Sequence, residues 1–152
     1  MPTDAENAPR TRPIRLLLVT EDAESADPLR QCLAAHPDIE VVGAARHVEE
    51  MLTRVVTLQP DVVVIALLYT VRTASLLRDL PAHAPALAQM AGRVILVAGI
   101  PPTPGRRIAA ACGASGYVPQ ARIGEDLAPA VAHVARGGVW PPEGATPRHQ
   151  RG

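Results

Sequence analysis

The sequence predicts one α/β domain built on a five-stranded parallel sheet with helices on both faces. Its 152 residues and 47% apolar content suit a single domain with a sizeable core. Five short apolar segments rich in Val, Leu and Ile alternate with amphipathic helical segments, a pattern typical of parallel sheets. Aromatic residues make up only 2% of the chain, so we expect Val, Leu, Ile and Ala to fill the core.

The first strand is predicted over residues 14–19, an apolar run that suits burial on both faces. Residues 1–13, which precede it, are polar and are predicted to form a flexible N-terminal tail. The helix that follows is expected to begin at Pro28, because proline is tolerated at the first helical position and Asp27 can cap it. This helix should end before His36.

The second and third units follow the same pattern. A strand over 39–42 is closed by Gly43, and apolar residues at helical spacing predict an amphipathic helix over 48–58. The strand over 62–68 is the most strongly indicated, because it is uncharged and rich in β-branched residues. A short helix is expected over 74–80.

The fourth unit begins after an Ala/Pro-rich connection over 81–92 and has its strand over 94–98. Three prolines predict a stiff loop over 99–105. A helix over 106–112 follows and ends at Gly113, since glycine readily adopts the left-handed backbone that closes helices.

The fifth unit has a short strand over 116–119 and a last helix over 125–136. Pro129 should weaken or kink that helix. We therefore expect the folded domain to cover residues 14–140, with a tail or linker over 141–152.

Five such units with right-handed crossovers favour the flavodoxin-like strand order 2-1-3-4-5. In sheets of this kind, functional residues lie at the carboxyl ends of the strands. Those ends hold four short groups: Thr20 to Asp22, Ala66 to Tyr69, Ala98 to Gly99, and Pro119 to Gln120.

Several function classes are excluded by composition and motif. Fifteen acidic and fifteen basic residues cancel, so no overall field favours nucleic acid or a membrane surface. The chain has no Lys, which rules out Schiff-base chemistry and a P-loop. The five His residues lack metal-ligand spacing. We therefore predict no cofactor, no metal site and no enzyme activity.

Glu21 and Asp22 are the carboxylates expected at the strand edge. A carboxylate pair can hold Mg²⁺ or act as acid and base, which is the basis of an enzyme hypothesis. A solvated loop is favoured instead, because the neighbouring strand ends, Ala66 and Ala98, supply no further oxygen ligand.

Cys32 and Cys112 lie far apart without metal or redox spacing, so we expect free thiols in a cytoplasmic protein.

No secretory leader and no stretch long enough to cross a membrane is present. Tyr117 either fills the core, lies half-buried at the surface, or serves as a ligand-stacking or switching aromatic. Arg106 and Arg107 either form a solvated face or a patch for a partner.

Five segments carry a family resemblance. They are IRLLLV at 14–19, PDIEVVG at 37–43, QPDVVV at 59–64, GASGY at 113–117 and GGVW at 137–140. Together they resemble the receiver domain of bacterial two-component response regulators, in the NarL/LuxR-type branch. The resemblance runs from residue 14 to about residue 140 and implies a CheY-like fold.

The resemblance also implies a phosphorylation site that this chain has lost. In receivers an acidic pair follows the first strand, a phospho-accepting Asp ends the third, a Thr or Ser ends the fourth, and a Lys follows the fifth. The corresponding positions here are Thr20 with Glu21, Ala66, Ala98 and Gln120. The switch aromatic is retained as Tyr117.

Ala66 has no carboxylate, so no acyl phosphate can form there. Because the Lys position is also uncharged, as Gln120, the vestigial site is expected to be neutral and stable. The resemblance therefore implies an aspartate-less pseudo-receiver of a bacterial transcription regulator that works without phosphorylation.

Such a module is expected to form a homodimer or to dock a regulator partner. The expected surfaces are the first and last helices, or the face made by the helix at 106–112, the fifth strand and the last helix. No helix-turn-helix motif lies within these residues, so we expect DNA contact only through a separate domain. The alternative is a small-ligand sensor that binds in the vestigial cleft against Tyr69, Tyr117 and Gln120.

Overall fold

The computed structural model describes residues 13–20, 23–67 and 93–142. Its elements, in chain order, are β1 Ile14–Thr20, α1 Ala23–Ala34, β2 Ile39–Ala45, α2 Val48–Leu58, β3 Val62–Leu67, β4 Val94–Ala98, α3 Pro102–Ala111, β5 Gly116–Pro119, the 3-10 turn Gln120–Arg122 and α4 Ile123–Ala135. Several predicted features lie outside the described residues: Glu21, Asp22, Tyr69, residues 1–12, the helix over 74–80, the connection over 81–92 and the chain from residue 143.

All five strands are parallel and follow the order β2-β1-β3-β4-β5, which confirms the predicted flavodoxin-like, CheY-like sheet. The central strands β3 and β4 are buried along their whole length, as their uncharged sequences require. No helix within the described ranges is long and apolar enough to span a membrane.

Alternate residues of the strands supply two hydrophobic cores, one on each face of the sheet. One core packs the sheet against α1 and α4, chiefly through Leu16, Leu18, Val64, Ile95, Leu29, Leu33, Leu127 and Val131. The other packs it against α2 and α3, chiefly through Leu17, Val19, Ile65, Leu96, Met51, Ala109, Cys112 and Tyr117.

The predicted start of the first helix was wrong. Helix α1 begins at Ala23 instead of Pro28, and Pro28 lies inside it. An interior proline removes one helical hydrogen bond, but the helix is held by Leu29 and Leu33, whose side chains are fully buried against the sheet.

The predicted loop over 99–105 was also too long. Helix α3 begins at Pro102, so Pro102 and Pro104 occupy its first turn. N–H groups of a first helical turn have no intrahelical partner, and prolines there sacrifice no hydrogen bond. The turn that ends helix α3 contains Gly113, whose φ of 86° is the left-handed conformation that was predicted.

Strand β2 runs through Gly43 to Ala45, beyond the end predicted for it. The pairing with β1 shifts at this point, because Leu16 pairs with Val41 and Leu17 with Gly43. Val42 is therefore an extra residue, a bulge that lets the strand continue past the glycine.

The chain reverses after α4 and returns to the sheet. Gly137 has a φ of 91°, and Trp140 then forms a parallel bridge to Gly116 at the outer edge of β5. Trp140 N–H donates to Ser115 O at 2.8 Å, and Tyr117 N–H donates to Trp140 O at 3.2 Å. Residues 139–141, here called the C-terminal segment, thus cover part of an edge that would otherwise be open.

Candidate functional site

The carboxyl ends of the strands bring four of the sequence-predicted site residues to one edge of the sheet. Thr20 of β1 pairs with Ala66 of β3, and Leu67 pairs with Ala98 of β4. Ala98 pairs in turn with Pro119, directly before Gln120. The predicted partners Glu21 and Tyr69 lie outside the described residues.

Three positions of this edge are closed to solvent and uncharged. Thr20 is 2% exposed, and Ala66 and Ala98 are each 1% exposed. Neither alanine has an oxygen that could accept a phosphoryl group or bind a cation. In the part of the chain that the structure describes, no three His, Cys, Asp or Glu side chains come together as a metal site.

Gln120 follows β5 in the 3-10 turn and is half-buried. Its side-chain oxygen lies against Gly99, where a Cβ would approach Oε1 to 3.0 Å. The amide is therefore directed across the end of β4, at the edge where Ala98 lies. It can offer hydrogen bonds there but no charge.

Tyr117 belongs to the core and is 2% exposed. Its hydroxyl can donate to Ala98 O at 2.9 Å or to Ile100 O at 2.5 Å, and it accepts from Ile100 N–H at 3.2 Å. Burial raises the pKa of the Tyr117 hydroxyl above its usual value, an effect that the hydrogen bond to Ile100 only partly offsets. Of the alternatives for this residue, the structure places Tyr117 in the core, bound to main-chain atoms.

A groove of about 210 Å³ lies at the start of β5, between α3 and the C-terminal segment. Its walls are mostly small or apolar side chains, including Ala110, Val139 and Trp140. Among the described residues of the lining, only Arg106 carries a charge, and no described carboxylate pairs with it. Sequence reasoning selected Arg106 but missed the C-terminal segment, whose signal was the Gly137-Gly138 reversal.

The two thiols are free and lie in different surroundings. Cys112 is buried between α3 and the sheet, whereas Cys32 is half-buried and its Sγ lies 3.7 Å from Ile123 O. Burial raises the pKa of both thiols, so neither is an activated nucleophile.

Comparisons with known proteins found no family model that matches the chain. One curated relative is the protein-glutamate methylesterase/protein-glutamine glutaminase of Moorella thermoacetica, 47% identical over 51 residues. Those residues are 34% of this chain and only 12% of the relative, so the chain spans a small part of that enzyme.

Solved structures match over most of the chain at low identity. A LuxR-family two-component response regulator from an Aurantimonas species has a TM-score of 0.68 at 21% identity, covering 84% of this chain and 88% of that one. The receiver domain of the putative regulator NarL from Mycobacterium tuberculosis has a TM-score of 0.66 at 17% identity, covering 83% and 98%.

The response regulator domain of Thermotoga maritima CheB matches with a TM-score of 0.59 at 22% identity, covering 84% of this chain and 96% of that one. Each of these three matches covers more than four fifths of both chains. The chain has the fold of response-regulator receiver domains.

Proposed function

We propose that this chain is a receiver-fold signalling module that works without phosphorylation, by forming a dimer or docking another regulator. The observation that carries the proposal is the absence of a charged side chain at Ala66, Ala98 and Gln120, three positions of the strand edge. Ala66 occupies the end of β3 with a methyl group, and an acyl phosphate needs a carboxylate oxygen as nucleophile.

The uncharged side chains at Ala66 and Gln120 are also compatible with each other in energy. A buried carboxylate without a positive partner costs about 3–5 kcal/mol. Ala66 and Gln120 avoid that cost together, since neither carries a charge.

We expect Ala66→Asp alone to destabilise the fold by about 3–5 kcal/mol, with part of that loss recovered by adding Gln120→Lys. Urea unfolding of both variants tests this expectation, and a neutral effect of Ala66→Asp alone would contradict it.

The surface proposed for docking is the face formed by α3, β5 and α4, with the C-terminal segment beside it. Three features support this choice: the groove, Arg106, which pairs with no carboxylate of the described residues, and Val139, which is 58% exposed. The other candidate face, on α1 and α4, presents mostly polar and small residues, including Arg30 and Gln31. The LuxR and NarL relatives suggest transcription control as the context, with DNA contact through a separate domain.

The decisive experiment is a backbone amide NMR spectrum with and without Mg²⁺ and beryllofluoride, which mimics a phosphoryl group on aspartate. We expect no change in this protein, while a receiver domain that keeps its aspartate responds to the same reagents. Saturable shifts around Thr20, Ala98 and Tyr117 would overturn the proposal.

Sedimentation velocity across a concentration series then tests dimerisation. We expect Arg106→Glu to weaken a dimer more than Arg107→Glu does. A monomer at every concentration, with no regulator partner, contradicts the docking role.

A small-ligand sensor at the strand edge is the second candidate. It is favoured by the half-buried amide of Gln120, which lies against Gly99 at the sheet edge where the strands carry only small side chains at Ala66 and Ala98. Tyr117 would contribute little, because its hydroxyl is already bound to main-chain atoms. A thermal-shift screen with metabolites tests this role, with Gln120→Ala as the variant that should abolish any stabilisation.

A further inference from the structure

The ring of Tyr117 lies directly on the backbone of helix α3. Gly105 is buried in that helix, and a Cβ built on Gly105 would overlap the Tyr117 ring. Glycine is unfavourable inside a helix relative to alanine. Helix α3 therefore gives up some intrinsic stability at this position, and the ring occupies the space that a side chain would fill.

Among the described residues, the hydroxyl of Tyr117 is held by main-chain atoms alone. Its partners are the carbonyl of Ala98 and the carbonyl and N–H of Ile100. Any residue at position 98 supplies the same carbonyl, so these bonds do not depend on a side chain at the strand edge. The Thr or Ser that the family resemblance implies at this position is not needed to hold the ring.

We propose that Gly105 and Tyr117 form a permanent latch that fixes loop 99–101 and the start of α3 in one position. The inference rests on the proposed function in one respect: a module that acts without phosphorylation needs a docking face that is always formed. Tyr117 and Ala109 also line the groove, so the latch holds the groove open between α3 and the C-terminal segment.

Gly105→Ala tests the latch, and Gly124→Ala is its matched control. Both substitutions replace a helical glycine, but a Cβ at Gly124 meets nothing within 4 Å. The readout is hydrogen exchange at the Ile100 amide, which donates a hydrogen bond to the Tyr117 hydroxyl oxygen. We expect Gly105→Ala to lower its protection by about tenfold or more, and Gly124→Ala to leave it unchanged. Adding Tyr117→Leu to Gly105→Ala should relieve the overlap and return the amide shifts of α3 toward the native positions.

Relaxation-dispersion NMR on the unmodified protein provides a test that does not require a variant to fold. We expect no millisecond exchange at Ile100, Gly105 or Tyr117. Exchange at these residues, or native protection of Ile100 in Gly105→Ala, would overturn the latch. Neither readout involves binding, so a chain that is latched but monomeric and without partners would refute the proposed function and leave the latch standing.

Discussion

The Tyr117 hydroxyl links β5 to the end of β4 and the loop after it through hydrogen bonds. Because it is buried, the stability of the fold should depend on pH through this group. Burial raises its pKa above the ordinary 10.0, so the folded state favours the neutral phenol. The stability from this preference is complete below pH 10.0 and is lost as the pH rises through the folded-state pKa.

We therefore expect Tyr117→Phe to flatten the fall in unfolding free energy above pH 10.0, while lowering stability at neutral pH by about 1–2 kcal/mol through the lost hydrogen bonds. The raised pKa values of Cys32 and Cys112 cause a similar loss from about pH 9.0 in both proteins. Urea unfolding at a series of pH values measures the difference. Parallel pH profiles for the two proteins would show that Tyr117 has no such linkage.

Arg15 performs a structural task at the opposite end of the sheet. Its guanidinium donates to Leu58 O at 2.5 Å and to Gln59 O at 3.2 Å, so it caps the carbonyl end of α2. We expect Arg15→Ala to cost about 1–3 kcal/mol, because the carbonyls lose a charged donor. Arg107→Ala, which removes an exposed guanidinium that pairs with no described carboxylate, should change stability by less than about 0.5 kcal/mol. Equal effects of the two substitutions would rule out the capping role.

At the scale of single elements, the C-terminal segment is the least expected part of the fold. A Cβ on Gly138 would overlap the ring of His133, whose centroid lies 5.9 Å from that of Trp140. We expect Gly138→Ala to displace the segment and expose Trp140, the single tryptophan of the chain. Its fluorescence emission should move to longer wavelength, whereas Val139→Ala, at an exposed position, should leave it unchanged. An unshifted emission in Gly138→Ala would mean that the segment tolerates the side chain.

Strands were more predictable than helix ends, for a physical reason. A buried parallel strand must be apolar along its whole length, and β4 and β5 were predicted with their observed bounds. Proline is an ambiguous boundary signal, because it is allowed in the first helical turn and tolerated further in when packing compensates. As a result, α1 was predicted to start at Pro28 but begins at Ala23. Helix α3 was predicted to start at Arg106 but begins at Pro102.

For the molecule as a whole, one sheet separates two cores, and both should unfold together. Leu29 lies in the core against α1, and Met51 lies in the core against α2. We expect Leu29→Ala and Met51→Ala each to cost about 2–5 kcal/mol and to add when combined. Val56→Ala, at a position 74% exposed, is the neutral control. Circular dichroism and Trp140 fluorescence should follow a single transition, and two separate transitions would contradict a shared sheet.

The candidate site was predictable only in outline. Strand order alone brings Thr20, Ala66 and Ala98 to one edge, because parallel strands end on the same side. The position of the Tyr117 ring was not predictable, since it depends on how closely β5 approaches the backbone of α3 at Gly105, which no local sequence pattern specifies. Glycine in a sequence signals freedom or close contact without naming the partner.

The contact between Gly105 and Tyr117 also constrains how the sequence can diverge. A side chain at position 105 would exclude the ring, and a smaller residue at 117 would leave a void beneath the helix. A substitution at one of these positions alone should lower the stability of the fold, so we expect related sequences to change the two positions together. Descendants of this chain are expected to keep glycine and tyrosine as a pair or to lose both, a correlated substitution readable from sequences without any structure.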